Sequence, residues 1–125
     1  MTFRRSMIFE LASVSLLLVS GRARAQDTHV VESAPAANAV VDGRTTAFFV
    51  RFDRPVDHVR SLLLIKRGGE VIETLHPRLD SALEVLFARA PTLPPGKYTL
   101  HWRVITLTDV QTSEGDIPFT VGRTN

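Results

Sequence analysis

The sequence predicts an all-β domain: an immunoglobulin-like Greek-key β-sandwich or barrel of about seven strands. Three observations point to it. The apolar residues come in short runs with no sustained helical period. The runs are separated by explicit turn chemistry, at Asp42-Gly43, Gly68-Gly69, His76-Pro77 and Pro94-Pro95-Gly96. About seven such runs fit into roughly 100 residues, the spacing of a small antiparallel sandwich.

Taken in order, the expected strands are 29–34, 46–52, 61–66, 70–76, 83–88, 97–105 and 116–121. The third and fourth flank Arg67-Gly68-Gly69, a hairpin signal, because glycine takes the positive φ that tight hairpin turns need. The stretch 79–89 also fits a second reading, since Asp80-Ser81-Ala82-Leu83-Glu84 carries the cap residues of a short helix. In 97–105, Tyr98, Leu100, Trp102 and Val104 share one face while Thr99, His101 and Arg103 share the other. That alternation suits a strand with one face on a core and one toward water. Phe52, Tyr98, Leu100, Trp102 and Phe119 are the expected core.

Ahead of the first strand, residues 1–25 read as a secretory signal. Arg4 and Arg5 form a basic start, Leu11 to Val19 an apolar centre, and Ala23-Arg24-Ala25 a small-x-small cleavage site. The apolar centre is well short of the ~20 residues a membrane-spanning helix needs. The expected domains are therefore a signal peptide at 1–25 and one β-sandwich at 26–125, with no membrane insertion after cleavage.

Cleavage removes four arginines and Glu10. The mature chain then carries 11 Lys+Arg against 12 Asp+Glu, a net charge of −1 where the full chain is +2. Such a balance gives no footprint for nucleic acid or anionic lipid. There is no cysteine, and both methionines, Met1 and Met7, lie in the signal. The mature chain thus offers no thioether site for Cu(I), and any metal it holds is a harder ion on imidazole, carboxylate or amine.

The order of short motifs resembles the periplasmic copper-resistance CopC family. His29-Val30-Val31-Glu32-Ser33-Ala34-Pro35-Ala36 is similar to the family's opening, and Phe52-Asp53-Arg54-Pro55-Val56 to its Phe-Ser-Glu-Pro-Val segment. The run from Leu93 through Pro94-Pro95-Gly96-Lys97-Tyr98 to Trp102-Arg103-Val104-Ile105 follows its tyrosine–tryptophan strand. Gly115-Asp116-Ile117-Pro118-Phe119-Thr120-Val121 follows its closing strand. The resemblance implies a copper-carrying sandwich in the periplasm, working with an inner-membrane copper transporter or another periplasmic copper protein. In that family Cu(II) is held by the first residue, a histidine, through its amine and imidazole. An Asp-x-His motif after the tryptophan strand completes the site, sometimes with the glutamate of Phe-Ser-Glu.

Carried over by position, His29 matches the opening histidine, but Gln26-Asp27-Thr28 precede it after cleavage. Arg54 stands where the glutamate is expected, and Asp109-Val110-Gln111 where Asp-x-His is expected, with Gln111 replacing the histidine. His29 and Asp109 remain as metal ligands, and Arg54 and Gln111 mark lost-ligand or outer positions. Two monodentate donors make a weak Cu(II) site. His58, beside Asp57, reads as a turn residue, and His76 and His101 as structural. Two functions follow. The first is a copper-homeostasis protein that holds or delivers Cu(II) through a partly degenerate site. The alternative is a CopC-like module that has lost copper and acts as an adaptor for a periplasmic or membrane partner. An enzyme is not expected, because no catalytic constellation assembles from these residues.

Overall fold

The computed structural model describes residues 28–122; the expected signal peptide and its cleavage site lie outside the described residues. The described chain forms eight strands: β1 Val30–Ala34, β2 Ala39–Asp42, β3 Ala47–Phe52, β4 Leu62–Arg67, β5 Glu70–Leu75, β6 Val85–Arg89, β7 Gly96–Ile105 and β8 Thr112–Gly122. They make two sheets, one of order β1-β3-β6 and one of order β2-β8-β7-β4-β5. The sheets stack as an open sandwich and do not close into a barrel.

The expected period-2 pattern is present where it was sharpest. Along β7, Tyr98, Leu100, Trp102 and Val104 are all buried. Aromatic side chains tie the two sheets together. Phe48 of β3 meets Phe119 of β8 edge-on with centroids 5.6 Å apart, and Phe52 meets Trp102 at 5.1 Å. Edge-to-face contacts of this kind add about 0.5–1.5 kcal/mol each beyond the area they bury. The Tyr98 hydroxyl donates to the Pro94 carbonyl at 2.5 Å and accepts from Arg67, which closes the turn entering β7. Gly68, at φ 62°, turns the β4–β5 hairpin as expected.

The structure departs from the sequence reading in three places. An eighth strand, β2, runs parallel to β8, pairing Ala39 with Phe119 and Asp42 with Gly122. Its four residues show no clear alternation between Asn38 and Gly43, and its partner lies at the far end of the chain. The chain crosses from one sheet to the other between β1 and β2. The second difference is that β8 begins at Thr112, four residues before the expected start, because β7 continues to Ile105 and pairs with it throughout. Third, residues 80–84 form no helix: a turn closed by Val85 N–H to the Ala82 carbonyl leads into β6, whose pairing with β3 outweighs local capping chemistry.

Candidate functional site

Antiparallel pairing of β1 with β3 sets Val30 opposite Phe52. The residue before one then lies beside the residue after the other, so His29 meets Asp53. The Asp53 N–H donates to the His29 carbonyl at 3.0 Å. In return the His29 N–H donates to Asp53 Oδ1 at 3.2 Å, and the His29 ring places Nδ1 3.3 Å from Oδ2. Arg54 folds back onto the same carboxylate, with Nε 3.1 Å from Oδ1 and a terminal nitrogen 3.5 Å from Oδ2. Burial pushes the Asp53 carboxyl up, but the hydrogen bonds from Arg54 and His29, helped by the Arg54 charge, hold it below its ordinary value of 3.8. The His29 side chain remains 71% exposed.

The residue before it is turned inward. Thr28 is only 5% exposed, and its N–H donates to the Ser113 hydroxyl at 3.3 Å. This contact ties the entry to β1 to the start of β8, across the gap between the sheets. An open cleft lies there, lined by Thr28, His29, Ser33, Trp102, Ser113 and Glu114 among others. Beside it, the loop joining β7 to β8 folds around Thr106, which is fully buried. Thr106 N–H donates to the Gln111 carbonyl and Gln111 N–H to the Thr106 hydroxyl, each at 3.0 Å. That hydroxyl in turn donates to the Asp109 carboxylate.

His29 and Asp109 therefore have different partners: His29 has Asp53, and Asp109 has Thr106. Arg54, at the glutamate position, has Asp53. Gln111 is exposed, and its backbone closes the loop. Among the described residues, no group of three or more His, Asp or Glu side chains is spaced to hold a metal ion. Imidazole and carboxylate are nonetheless donors of the kind Cu(II) takes, and the His29 imidazole is exposed.

Sequence reasoning passed over Asp53. The available signal was strand register, since pairing the two expected strands in antiparallel order sets Asp53 next to His29. The remaining histidines have structural partners or none that bears on the site. His58 Nε2 lies 3.0 Å from the Ala82 carbonyl and 2.7 Å from that of Val85, pinning the segment before β6. Asp57 accepts from the N–H groups of Val59 and Arg60, as a turn former does. His101 lies on the outer face of β7 between Asp116 at 2.7 Å and Glu114 at 2.9 Å.

Comparison with known proteins gives one family and solved structures of the same fold. The family model described as the CopC domain matches residues 30–122. The crystal structure of CopC from Methylosinus trichosporium OB3b superposes with a TM-score of 0.68 at 26% identity, covering 78% of this chain and 97% of that one. PcoC, a methionine-rich copper resistance protein from Escherichia coli, superposes with a TM-score of 0.63, covering 76% and 98% of the two chains. At 18% identity that likeness speaks for the fold alone. No curated protein matches the chain significantly.

Proposed function

The chain belongs to the CopC family, and from that premise we propose that it is a periplasmic copper-homeostasis protein that holds or delivers Cu(II) through a reduced site. The observation carrying this reading is His29. By sequence resemblance it corresponds to the family's opening histidine, and it lines the cleft with its ring exposed beside the Asp53 carboxylate. Imidazole is the side chain best suited to take Cu(II) at neutral pH. Asp109 offers an oxygen donor through Oδ2, since the Thr106 hydroxyl bonds to Oδ1. A site with so few side-chain donors exchanges its ion readily, which suits hand-over to a transporter or to another periplasmic copper protein. Export rests on the signal-like residues 1–25.

A second reading has its own support. Arg54 and Gln111 stand at two expected ligand positions, and Asp109 is engaged in closing its loop. On that basis the module has lost copper and serves as an adaptor for a periplasmic or membrane partner. Titration of the mature chain, residues 26–125, with Cu(II) against a competing chelator separates the two. Stoichiometric binding abolished in His29→Ala supports the copper reading. Weak binding that is the same in both proteins supports the adaptor.

A further inference from the structure

One edge of β8 is only half used. β2 pairs with it from Phe119 onward, and the Asn38 N–H reaches the Pro118 carbonyl. Among the described residues, no strand pairs with that edge over 112–116. The direction of its backbone groups follows from the bonds at either end. Gln111 turns its N–H and its carbonyl toward Thr106 on the β7 side, and Pro118 turns its carbonyl the other way. The β7–β8 register between them is unbroken, and successive residues of an antiparallel ladder alternate in direction. The N–H and C=O groups of Thr112, Glu114 and Asp116 therefore face the open edge, a length of about 17 Å. In the expected mature chain only Gln26 and Asp27 precede Thr28, fewer residues than this edge is long.

The cleft opens beside it. β1 is the matching edge of the other sheet, and between the two edges a space of about 710 Å³ reaches Trp102 and Ile117. Gly115 puts no side chain there. A strand laid on the edge sends alternate side chains inward, as β2 does with Val41, which packs against the core. Its other side chains lie outside, next to Glu114 and Asp116. Those carboxylates are 55% and 61% exposed, and both lean on one histidine, His101, with Arg103 a strand further in. Opposite charges attract across neighbouring strands and like charges repel. A second copy paired through the same edge sets acid against acid, whereas a basic segment is drawn to it.

We propose that the 112–116 edge of β8 takes an extended segment of a partner protein by strand addition, with apolar side chains in the cleft and Lys or Arg outside. Main-chain hydrogen bonds then supply the affinity and the cleft the selectivity. This rests on the adaptor reading and gives the adaptor its docking surface.

Amide hydrogen exchange of the copper-free mature protein tests the edge first. The Glu114 and Asp116 amides should exchange fast, and those of Ser113, Gly115 and Ile117 slowly. Slow exchange at Glu114 and Asp116 at every protein concentration means the edge is already covered and overturns the inference. Slowing that grows with protein concentration assigns the edge to a second copy and overturns it too. A blocked hexapeptide alternating valine and lysine is then titrated in. The expected result is slowed exchange at Glu114 and Asp116 with a shift in Trp102 emission. Both effects should be lost when the peptide is N-methylated throughout, and weakened when glutamate replaces lysine. No slowing with the valine–lysine peptide, or equal effects of the N-methylated one, overturns strand addition. Equal binding of the glutamate peptide overturns the basic chemistry assigned to the partner. A failure at the edge leaves the adaptor reading to be judged by the copper titration, which needs no peptide.

Discussion

Gly115 is the position where a single methyl group has the clearest consequence. In the β7–β8 ladder it lies opposite Trp102. A Cβ placed on Gly115 falls 2.4 Å from Cζ2 of the indole, 2.6 Å from Cε2 and 2.9 Å from Nε1. Ordinary carbon contacts lie near 3.5–4.0 Å, so the ring has to move by roughly 1 Å. It is not free to do so, since Phe52 packs against it edge-on at 5.1 Å and Trp102 is only 6% exposed. Overpacking of a filled core costs about 1–3 kcal/mol. A value near 2 kcal/mol is expected for Gly115→Ala, because the indole is rigid and held on its other side. For a domain of this size that corresponds to roughly 8–16 °C in melting temperature, at about 4–8 °C per kcal/mol. The assay is direct, because Trp102 is the chain's one tryptophan. Urea unfolding followed by its fluorescence reads the midpoint and the ring's surroundings together. The expected result is a lower midpoint with a shifted folded-state emission. A change below about 0.5 kcal/mol with unaltered emission would refute the argument, since it would mean that the indole slides toward the cleft at no cost.

Three further outcomes are expected. Thr106→Val keeps the buried shape but removes the hydroxyl that serves both Asp109 and the Gln111 N–H, so stability should fall by about 1–2 kcal/mol. Hydrogen exchange at the Gln111 amide should quicken, and unchanged exchange would mean the loop closes by other contacts. Asp57 is held below 3.8 mainly by the Arg60 side-chain hydrogen bond, then by the Arg60 and Val59 N–H groups. A carboxyl lowered in the folded state contributes stability above its unfolded value and loses it as pH falls through its folded one. The difference between wild type and Asp57→Asn in thermal melts should therefore be flat down to about pH 4 and shrink below it, whereas a constant difference at lower pH would contradict this origin. Finally, mass spectrometry of the exported protein should find a chain beginning at Gln26. A chain beginning at His29 would instead restore a terminal histidine and its amine.

The features most legible in the sequence were those set by local chemistry. Alternation in Lys97–Ile105 fixed which side of β7 faces the core, because successive residues of a strand must point to opposite faces. Arg67-Gly68-Gly69 fixed a hairpin, because both glycines adopt positive φ there. β2 was hidden for the opposite reason: four residues carry little periodic signal, and the reason they form a strand is the parallel edge of β8 about 80 residues later in the chain.

The site divides along the same line. The sequence by itself determined the residue types present: an opening histidine, an arginine and a glutamine at expected ligand positions, an aspartate in the β7–β8 loop, and no sulfur donor after Met7. Only the tertiary structure decided how they are engaged. His29 and Asp53 are 24 positions apart and meet because the β1–β3 register sets them side by side. Asp109 turns to Thr106 because that hydroxyl is buried at the base of the loop. Composition fixes which donors exist, but a hydrogen bond or a metal site needs atoms within about 3 Å of each other, and that proximity is set by strand register and loop closure.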